Sequence, residues 1–163
     1  MNPTEAEVHT ALNQAIEKLL EMDHHLLDAD ASERSLSHRL AVHMIDRFPD
    51  YEIDCEYNRD GFDVKKLTLA GRDVYDTELD AVTVFPDIIV HKRGSQNNNL
   101  LVIEIKKASS LVSPDYDIEK LNAFKTELNY IFAAQTIPSP VRHHPQSRQS
   151  RRGAGRLGWR GYL

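Results

Sequence analysis

The chain has 163 residues, 40% of them hydrophobic and 28% charged, with a formal net charge of −5. This size and composition are typical of one globular domain with a substantial core, and the single cysteine excludes an internal disulfide framework and a cysteine-rich zinc site. No hydrophobic run reaches the ~18 residues that a membrane helix needs. The N-terminal segment has no basic stretch followed by an apolar one, so we expect a cytoplasmic protein that does not associate with membranes.

The charge is unevenly distributed along the chain. Residues 141–163 contain six arginines and no acidic residue, so residues 1–140 carry a net charge of −11. An acidic body argues mildly against broad, nonspecific binding of nucleic acid. It is compatible with a nuclease, because the acidic active site of such an enzyme is neutralised by bound metal.

A helix is predicted close to the N-terminus. Thr4 with Glu7 three residues later is a capping-box pattern, and hydrophobic residues recur at helical spacing over 5–22. The polar segment 23–32 interrupts this spacing. We therefore assign residues 1–30 to an N-terminal helical extension.

A second helix is predicted over 31–47. Asp30 and Glu33 give another capping-box pattern at its start, and Pro49 disfavours helix in the residue that precedes it. Glu33 lies on the same helical stripe as three hydrophobic residues, so it is expected to face the sheet rather than water. These residues are Leu36, Leu40 and Met44.

Strand patterns occupy the middle of the chain. Hydrophobic and polar residues alternate over 51–58, which indicates a strand with Cys55 on its core face. Hydrophobic runs bounded by turn-type residues indicate further strands at 62–71, 84–92 and 100–107. A helix over 115–128 and a last strand over 130–137 complete an α/β domain that we place at 1–137.

The tail, residues 138–163, has a different composition. It is rich in arginine, glycine, serine and proline and contains no lysine, aspartate or glutamate. Such a composition is typical of a disordered or extended segment. A basic arm that contacts nucleic acid or a partner chain and an accidental terminus are both compatible with it, so we base no function on the tail.

The strand predicted at 100–107 carries two charged residues within a hydrophobic run. Glu104 and Lys106 point to the same face, because side chains alternate along a strand. Asp87 follows Pro86 on the preceding strand, and if the two strands pair as a hairpin, Asp87 faces the same side as Glu104. Two carboxylates that lie so close repel one another, and burial also disfavours their charge.

A divalent cation would relieve both penalties. Mg²⁺ prefers oxygen ligands and is commonly held by one or two carboxylates, waters and substrate phosphates. Lys106 would then lie beside the metal, where it can orient or help deprotonate an attacking water and offset phosphate charge. The metal lowers the pKa of its bound water and stabilises developing negative charge.

This pattern resembles the signature of the PD-(D/E)XK, or restriction-endonuclease-like, nuclease superfamily. Pro86-Asp87 is followed after sixteen intervening residues by Glu104-Ile105-Lys106, and the string PDIIVHKRGSQNNNLLVIEIKK resembles small stand-alone members of the superfamily. The resemblance implies an αβββαβ core, in which a mixed central sheet is flanked by helices. The predicted elements have that order, namely helix 31–47, strands 51–58, 84–92 and 100–107, helix 115–128 and strand 130–137.

The resemblance also implies a function and a site. The chain would cleave phosphodiester bonds in nucleic acid, most simply DNA, with Mg²⁺, for which Mn²⁺ is expected to substitute. Asp87 and Glu104 would be metal ligands and Lys106 the catalytic lysine, with Ile105 contributing its backbone carbonyl. Glu33 is a candidate additional ligand from the first core helix.

Other interpretations of these residues stay open. Glu33 can serve as a helix cap alone, Asp87 as a turn residue, and Glu104 and Lys106 as a solvated strand end. Lys107 is expected on the opposite face. The chain as a whole can be a catalytically silent binding or regulatory module of the same fold, and a homodimer or a partner protein can be needed for activity.

Overall fold

The computed structural model describes residues 2–57, 85–95, 97–107 and 115–137 in full. Beyond these ranges it describes only the backbones of short strands at 59–60, 63–64, 66–67, 82–83 and 159–162. Within the described residues, no helix is long and apolar enough to cross a membrane.

The N-terminal helix α1 spans Glu5–Met22, and its predicted capping box is present. The Thr4 side chain accepts a hydrogen bond from the Glu7 backbone N–H, while the Glu7 carboxylate accepts one from the Thr4 N–H. One face of α1 is buried, and this face explains the helical spacing of its hydrophobic residues. The buried residues are Val8, Leu12, Ala15, Ile16 and Leu19.

Two further helices follow. A short helix α2, His24–Asp28, lies in the segment predicted as a break, and α3 spans Glu33–Met44 before one 3-10 turn at Ile45–Arg47. The predicted capping box of Asp30 and Glu33 is wrong, because Ser32 is the N-cap of α3 and its hydroxyl accepts from the Ser35 N–H. Glu33 is therefore the first residue of the helix rather than a capping partner.

The remaining elements form a mixed sheet and one more helix. In chain order they are β1 Glu52–Cys55, β2 Arg59–Asp60, β3 Asp63–Val64, β4 Lys66–Leu67, β5 Val82–Thr83, β6 Ile88–His91, β7 Leu101–Ile105, α4 Asp115–Glu127, β8 Phe132–Thr136 and β9 Trp159–Tyr162. The main sheet has the order β1-β6-β7-β8-β9, and short two-stranded pairs join β2 with β3 and β4 with β5. Strands β7 and β8 are parallel, whereas the other neighbours are antiparallel.

Helices cover both faces of the sheet. Leu101, Ile103 and Ile105 pack with α1 and α3 in one hydrophobic cluster. Val102 packs with residues of α4 in a second cluster on the opposite face. Burial on both faces explains why β7 reads as an almost continuous hydrophobic run. The α/β class and the mixed sheet flanked by helices are thus as predicted.

The first strand differs from its prediction. Strand β1 ends at Cys55, and Cys55 is exposed rather than part of the core. Glu56 has a φ of 50°, which interrupts the extended backbone on which side-chain alternation depends. Tyr57 accordingly packs against the α4 cluster, whereas Ile53 packs against the α1 and α3 cluster.

Two other predictions are covered only partly by the described residues. The strand predicted at 62–71 falls on β3 and β4, and its other residues lie outside the described ranges. Within the tail the structure describes only the backbone of β9, which pairs antiparallel with β8.

Candidate metal and nucleic-acid site

Asp87, which directly precedes β6, and Glu104 of β7 share one face of the sheet. Strands β6 and β7 pair with Ile88 opposite Ile103, so the next position sets Asp87 opposite Glu104. Asp87 shares its face with Ile89, whose side chain packs in the α4 cluster. The Oδ2 atom of Asp87 accepts a hydrogen bond of 2.7 Å from the Ile105 N–H. This bond fixes the Asp87 carboxylate to the strand that carries Glu104.

Glu104 is buried beneath α4. Its side chain is 5% exposed, and its Oε2 atom lies 2.7 Å from the Lys120 Nζ. Its other carboxylate oxygen, Oε1, has no hydrogen-bond partner among the described residues. The pKa of Glu104 is raised to about 8, chiefly by burial; the Lys120 ammonium opposes this shift, and the negative charges of Asp87 and Asp117 add to it.

Asp87 is electrostatically coupled to the same groups. Burial raises its pKa above the ordinary value for an aspartate, and the Ile105 N–H and the Lys120 charge act in the opposite direction. The charges of Glu33 and Asp117 raise the pKa of Asp87 as well. Several carboxylates therefore influence one another at this end of the sheet, and cations are needed to balance them.

Lys106 also faces α4. Its Nζ lies 2.9 Å from the Asp117 Oδ2, and the two side chains are only 13% and 15% exposed. The same Asp117 oxygen accepts a hydrogen bond of 3.4 Å from Nε2 of Gln135, a buried residue of β8. Lys106 thus lies on the same face as Glu104, but its ammonium is held by the first turn of α4.

Lys120 is the second buried ammonium of the site. Besides Glu104, its Nζ contacts the backbone carbonyl of Phe85 at 3.1 Å, two residues before Asp87. The Lys120 side chain is 12% exposed. It therefore lies among the groups proposed as ligands rather than covering the outside of its helix.

Glu33 approaches the site from the opposite helical layer. Its Oε1 atom accepts a hydrogen bond of 2.9 Å from the Lys107 N–H, at the end of β7. The Lys107 ammonium turns away from α4 and pairs with the Asp30 carboxylate at 2.8 Å. Lys107 is therefore on the opposite face, as predicted, and its contacts hold the start of α3 against the end of β7.

The donors present are compatible with Mg²⁺. Asp87 and Glu104 supply the one or two carboxylates that this ion commonly takes, and the buried Glu104 Oε1 lacks a partner within the described residues. Over the same residues, no group of three or more histidine, cysteine, aspartate or glutamate side chains is arranged to hold a metal ion. A metal at this point would need waters, a backbone carbonyl or phosphate oxygens as its remaining ligands.

Asp117, Lys120 and Gln135 were not assigned to the site from the sequence. Asp117 and Lys120 are three residues apart on α4, so they share one helical face. That spacing was a usable signal. Gln135 gave none, because a polar residue in a short strand most often lies on an exposed face.

Two buried histidines lie outside this group of residues. His43 contacts Asp23 at 2.6 Å, and Arg39 contacts the other oxygen of Asp23 at 2.8 Å. His91 contacts Asp54 at 2.9 Å. In both cases the buried histidine has an aspartate partner, which is the usual state of a structural histidine.

Comparisons of the chain with family models, with curated proteins and with solved structures found no match.

Proposed function

We propose that the chain is a Mg²⁺-dependent nuclease of the restriction-endonuclease-like type that acts on DNA. The observation that carries this proposal is the pair of coupled carboxylates Asp87 and Glu104 beneath α4. Lys106 follows on the same face as Glu104 and contacts Asp117 of α4. Two neighbouring carboxylates can ligate a metal ion that activates water, and groups with perturbed pKa values cluster at functional sites.

The order of the elements supports the same proposal. Helix α3 is followed by strands β1, β6 and β7, by helix α4 and by strand β8. This order is that of the αβββαβ core of the superfamily. The carboxylates lie at the end of β6 and β7 that is adjacent to the first turns of α3 and α4.

Asp87 and Glu104 would hold the metal, with Glu33 and the backbone carbonyl of Ile105 as further candidates. The bound ion would supply a water of lowered pKa and stabilisation of developing charge. Lys106 would orient the attacking water and offset the charge of the scissile phosphate. Asp117 would hold the Lys106 ammonium in position for that role, since the two form a short and mostly buried contact.

A catalytically silent binding or regulatory module is the second candidate. It is favoured by the internal pairing of the site, because Lys120 already contacts Glu104 and Lys106 already contacts Asp117. In that case the charged residues would stabilise the packing of α4 on the sheet, and no metal would be required.

Cleavage assays separate the two candidates. The full chain would be incubated with double-stranded, single-stranded and branched DNA in the presence of Mg²⁺, Mn²⁺ or EDTA. We expect metal-dependent cleavage that is lost in Lys106→Ala and retained in Lys125→Ala, which changes a lysine near the end of α4. DNA binding without cleavage under any of these conditions, with unchanged folding, would support the binding module.

A further inference from the structure

We infer that Lys120 is a built-in competitor of the divalent cation, and that the ammonium must leave Glu104 when metal and a phosphate-bearing substrate bind. The inference rests on the proposed metal site and concerns its regulation. It assigns to Lys120 a role distinct from that of Lys106, although both are lysines on the same side of the sheet.

The contacts of Lys120 are those of a bound cation. Its Nζ lies 2.7 Å from the Glu104 Oε2 and 3.1 Å from the backbone carbonyl of Phe85. Its charge also acts favourably on Asp87. The ammonium therefore interacts with both carboxylates that are proposed to bind metal.

Burial makes this interaction exclusive. The side chains of Glu104 and Lys120 are 5% and 12% exposed, so little water screens the pair. A metal that took Glu104 as a ligand while the ammonium remained would bring two cations together in a setting of low dielectric. Because a buried charge without a counter-charge is strongly destabilising, the displaced ammonium needs another anion.

A substrate phosphate can supply that anion. When DNA is bound, a phosphate oxygen would accept a hydrogen bond from the Lys120 ammonium. Glu104 would then be available as a ligand for the metal. Metal and DNA would then bind with positive coupling, because DNA draws the ammonium away from Glu104 and the metal displaces the ammonium toward the phosphate. Such coupling is reciprocal, so DNA must raise metal affinity by the same factor by which metal raises DNA affinity.

The alternative role for Lys120 is purely structural. As a strut between α4 and the sheet, Lys120 would affect stability but not the affinity for metal once folding is complete. The two roles therefore predict different metal affinities for Lys120 variants, and metal affinity can be measured without catalytic turnover.

The experiment is a calorimetric titration of the full chain with Mn²⁺ at fixed pH and ionic strength, which measures the affinity for the ion. The variants are Lys120→Met, Lys120→Gln and Lys120→Arg, with Lys125→Met as the matched control on α4. We expect Lys120→Met and Lys120→Gln to bind Mn²⁺ about tenfold more tightly or better. Lys120→Arg and the control should bind like the wild type. Lys120→Gln keeps a donor for the Phe85 carbonyl and serves if Lys120→Met does not fold.

A second titration includes a short DNA duplex with phosphorothioate linkages, which are hydrolysed slowly. In the wild type the duplex should tighten Mn²⁺ binding, and in Lys120→Gln this coupling should be lost. Equal Mn²⁺ affinity in wild type and Lys120→Gln, with Glu104→Gln abolishing binding, would overturn the role of Lys120 and leave the metal site standing. Absence of Mn²⁺ binding in every variant would overturn the metal site itself, and the competition with it.

Discussion

The Asp87 carboxylate accepts a 2.7 Å hydrogen bond from the backbone N–H of Ile105, the residue next to Glu104. Through this bond, a residue just before β6 is fixed to the strand that carries the second proposed ligand. The same arrangement leaves Asp87 half-buried near several like charges, and its pKa is raised, chiefly by burial. The Asp87 carboxylate is thus held in place although its burial lowers the stability of the fold, as is common at functional sites.

Asp87→Asn should separate the effect of the hydrogen bond from the effect of the buried charge. The amide oxygen can still accept from the Ile105 N–H, while the desolvated negative charge is removed. We expect the free energy of unfolding of the metal-free protein at neutral pH to stay unchanged or to rise by up to about 1 kcal/mol. We expect DNA cleavage to fall by about 100-fold or more, since even residues behind metal ligands have effects approaching that size.

Urea unfolding and cleavage rates would be measured on the same preparations. Asp46→Asn, a change in the 3-10 turn remote from β6 and β7, is the matched control and should alter neither quantity. A variant that is less stable yet fully active would contradict the assignment of Asp87.

Above pH 4.5, the contribution of Glu104 to the stability of the metal-free protein should decrease as the pH rises. The pKa of Glu104 is raised by burial from 4.5 to about 8, so folding favours its protonated form. The corresponding stabilisation is fully present below pH 4.5, the value for the unfolded chain, and is lost as the pH rises through about 8. Asp87 contributes in the same direction.

Urea unfolding in EDTA between pH 4.5 and 8.5 would measure the slope of the free energy of unfolding against pH. Glu104→Gln should flatten it, because the neutral amide does not titrate. Addition of Mn²⁺ should also reduce it, since bound metal favours the ionised carboxylate. A slope of the same size in wild type and Glu104→Gln would show that other groups are responsible.

Parts of the fold that depend on local patterns could be predicted from the sequence. The bounds of α1 follow from the Thr4 cap and the spacing of hydrophobic residues. At α3 the capping pattern was assigned to Asp30, whereas Ser32 is the N-cap in the structure. Asp30 has a φ of 49°, whereas Ser32 has the extended backbone of an N-cap. The sequence alone could not distinguish them, because both residue types are common caps.

The site was predictable only where it depends on strand geometry. Alternation along β7 was sufficient to assign Glu104 and Lys106 to one face. Their partners could not be assigned, because the contacts with Lys120 and Asp117 depend on how α4 crosses the sheet after a connection of several residues. Cys55 was misplaced for a related reason, since the left-handed Glu56 that ends the alternation has no clear signal in the sequence.

The contact of Lys106 with Asp117 predicts a positioning effect. Asp117→Asn should retain the hydrogen bond from Gln135 but weaken the hold on the Lys106 ammonium. We expect kcat for DNA cleavage to fall about tenfold to 100-fold, with little change in KM. Asp115→Asn, an exposed change in the same turn of α4, is the control. An equal loss in both variants, or a loss confined to KM, would contradict the positioning role.

The cluster of Asp23, Arg39 and His43 should contribute to stability without affecting cleavage. Asp23 contacts both basic side chains at the junction of α1 and α2, and hydrogen bonds from His43 and Arg39 lower its pKa despite the opposing effect of burial. Asp23→Ala would leave the buried His43 without this partner, so we expect a loss of about 1–3 kcal/mol in the free energy of unfolding. Arg34→Gln breaks an ion pair that is 79% exposed on the arginine side, and it should cost less than about 1 kcal/mol.

Because the Asp23 pKa is depressed, its contribution is present above pH 3.8 and is lost as the pH falls through the lower folded value. Urea unfolding at pH 7 and at pH 3 would therefore show a smaller difference between wild type and Asp23→Ala at the lower pH, and a constant difference would contradict this origin of the stabilisation.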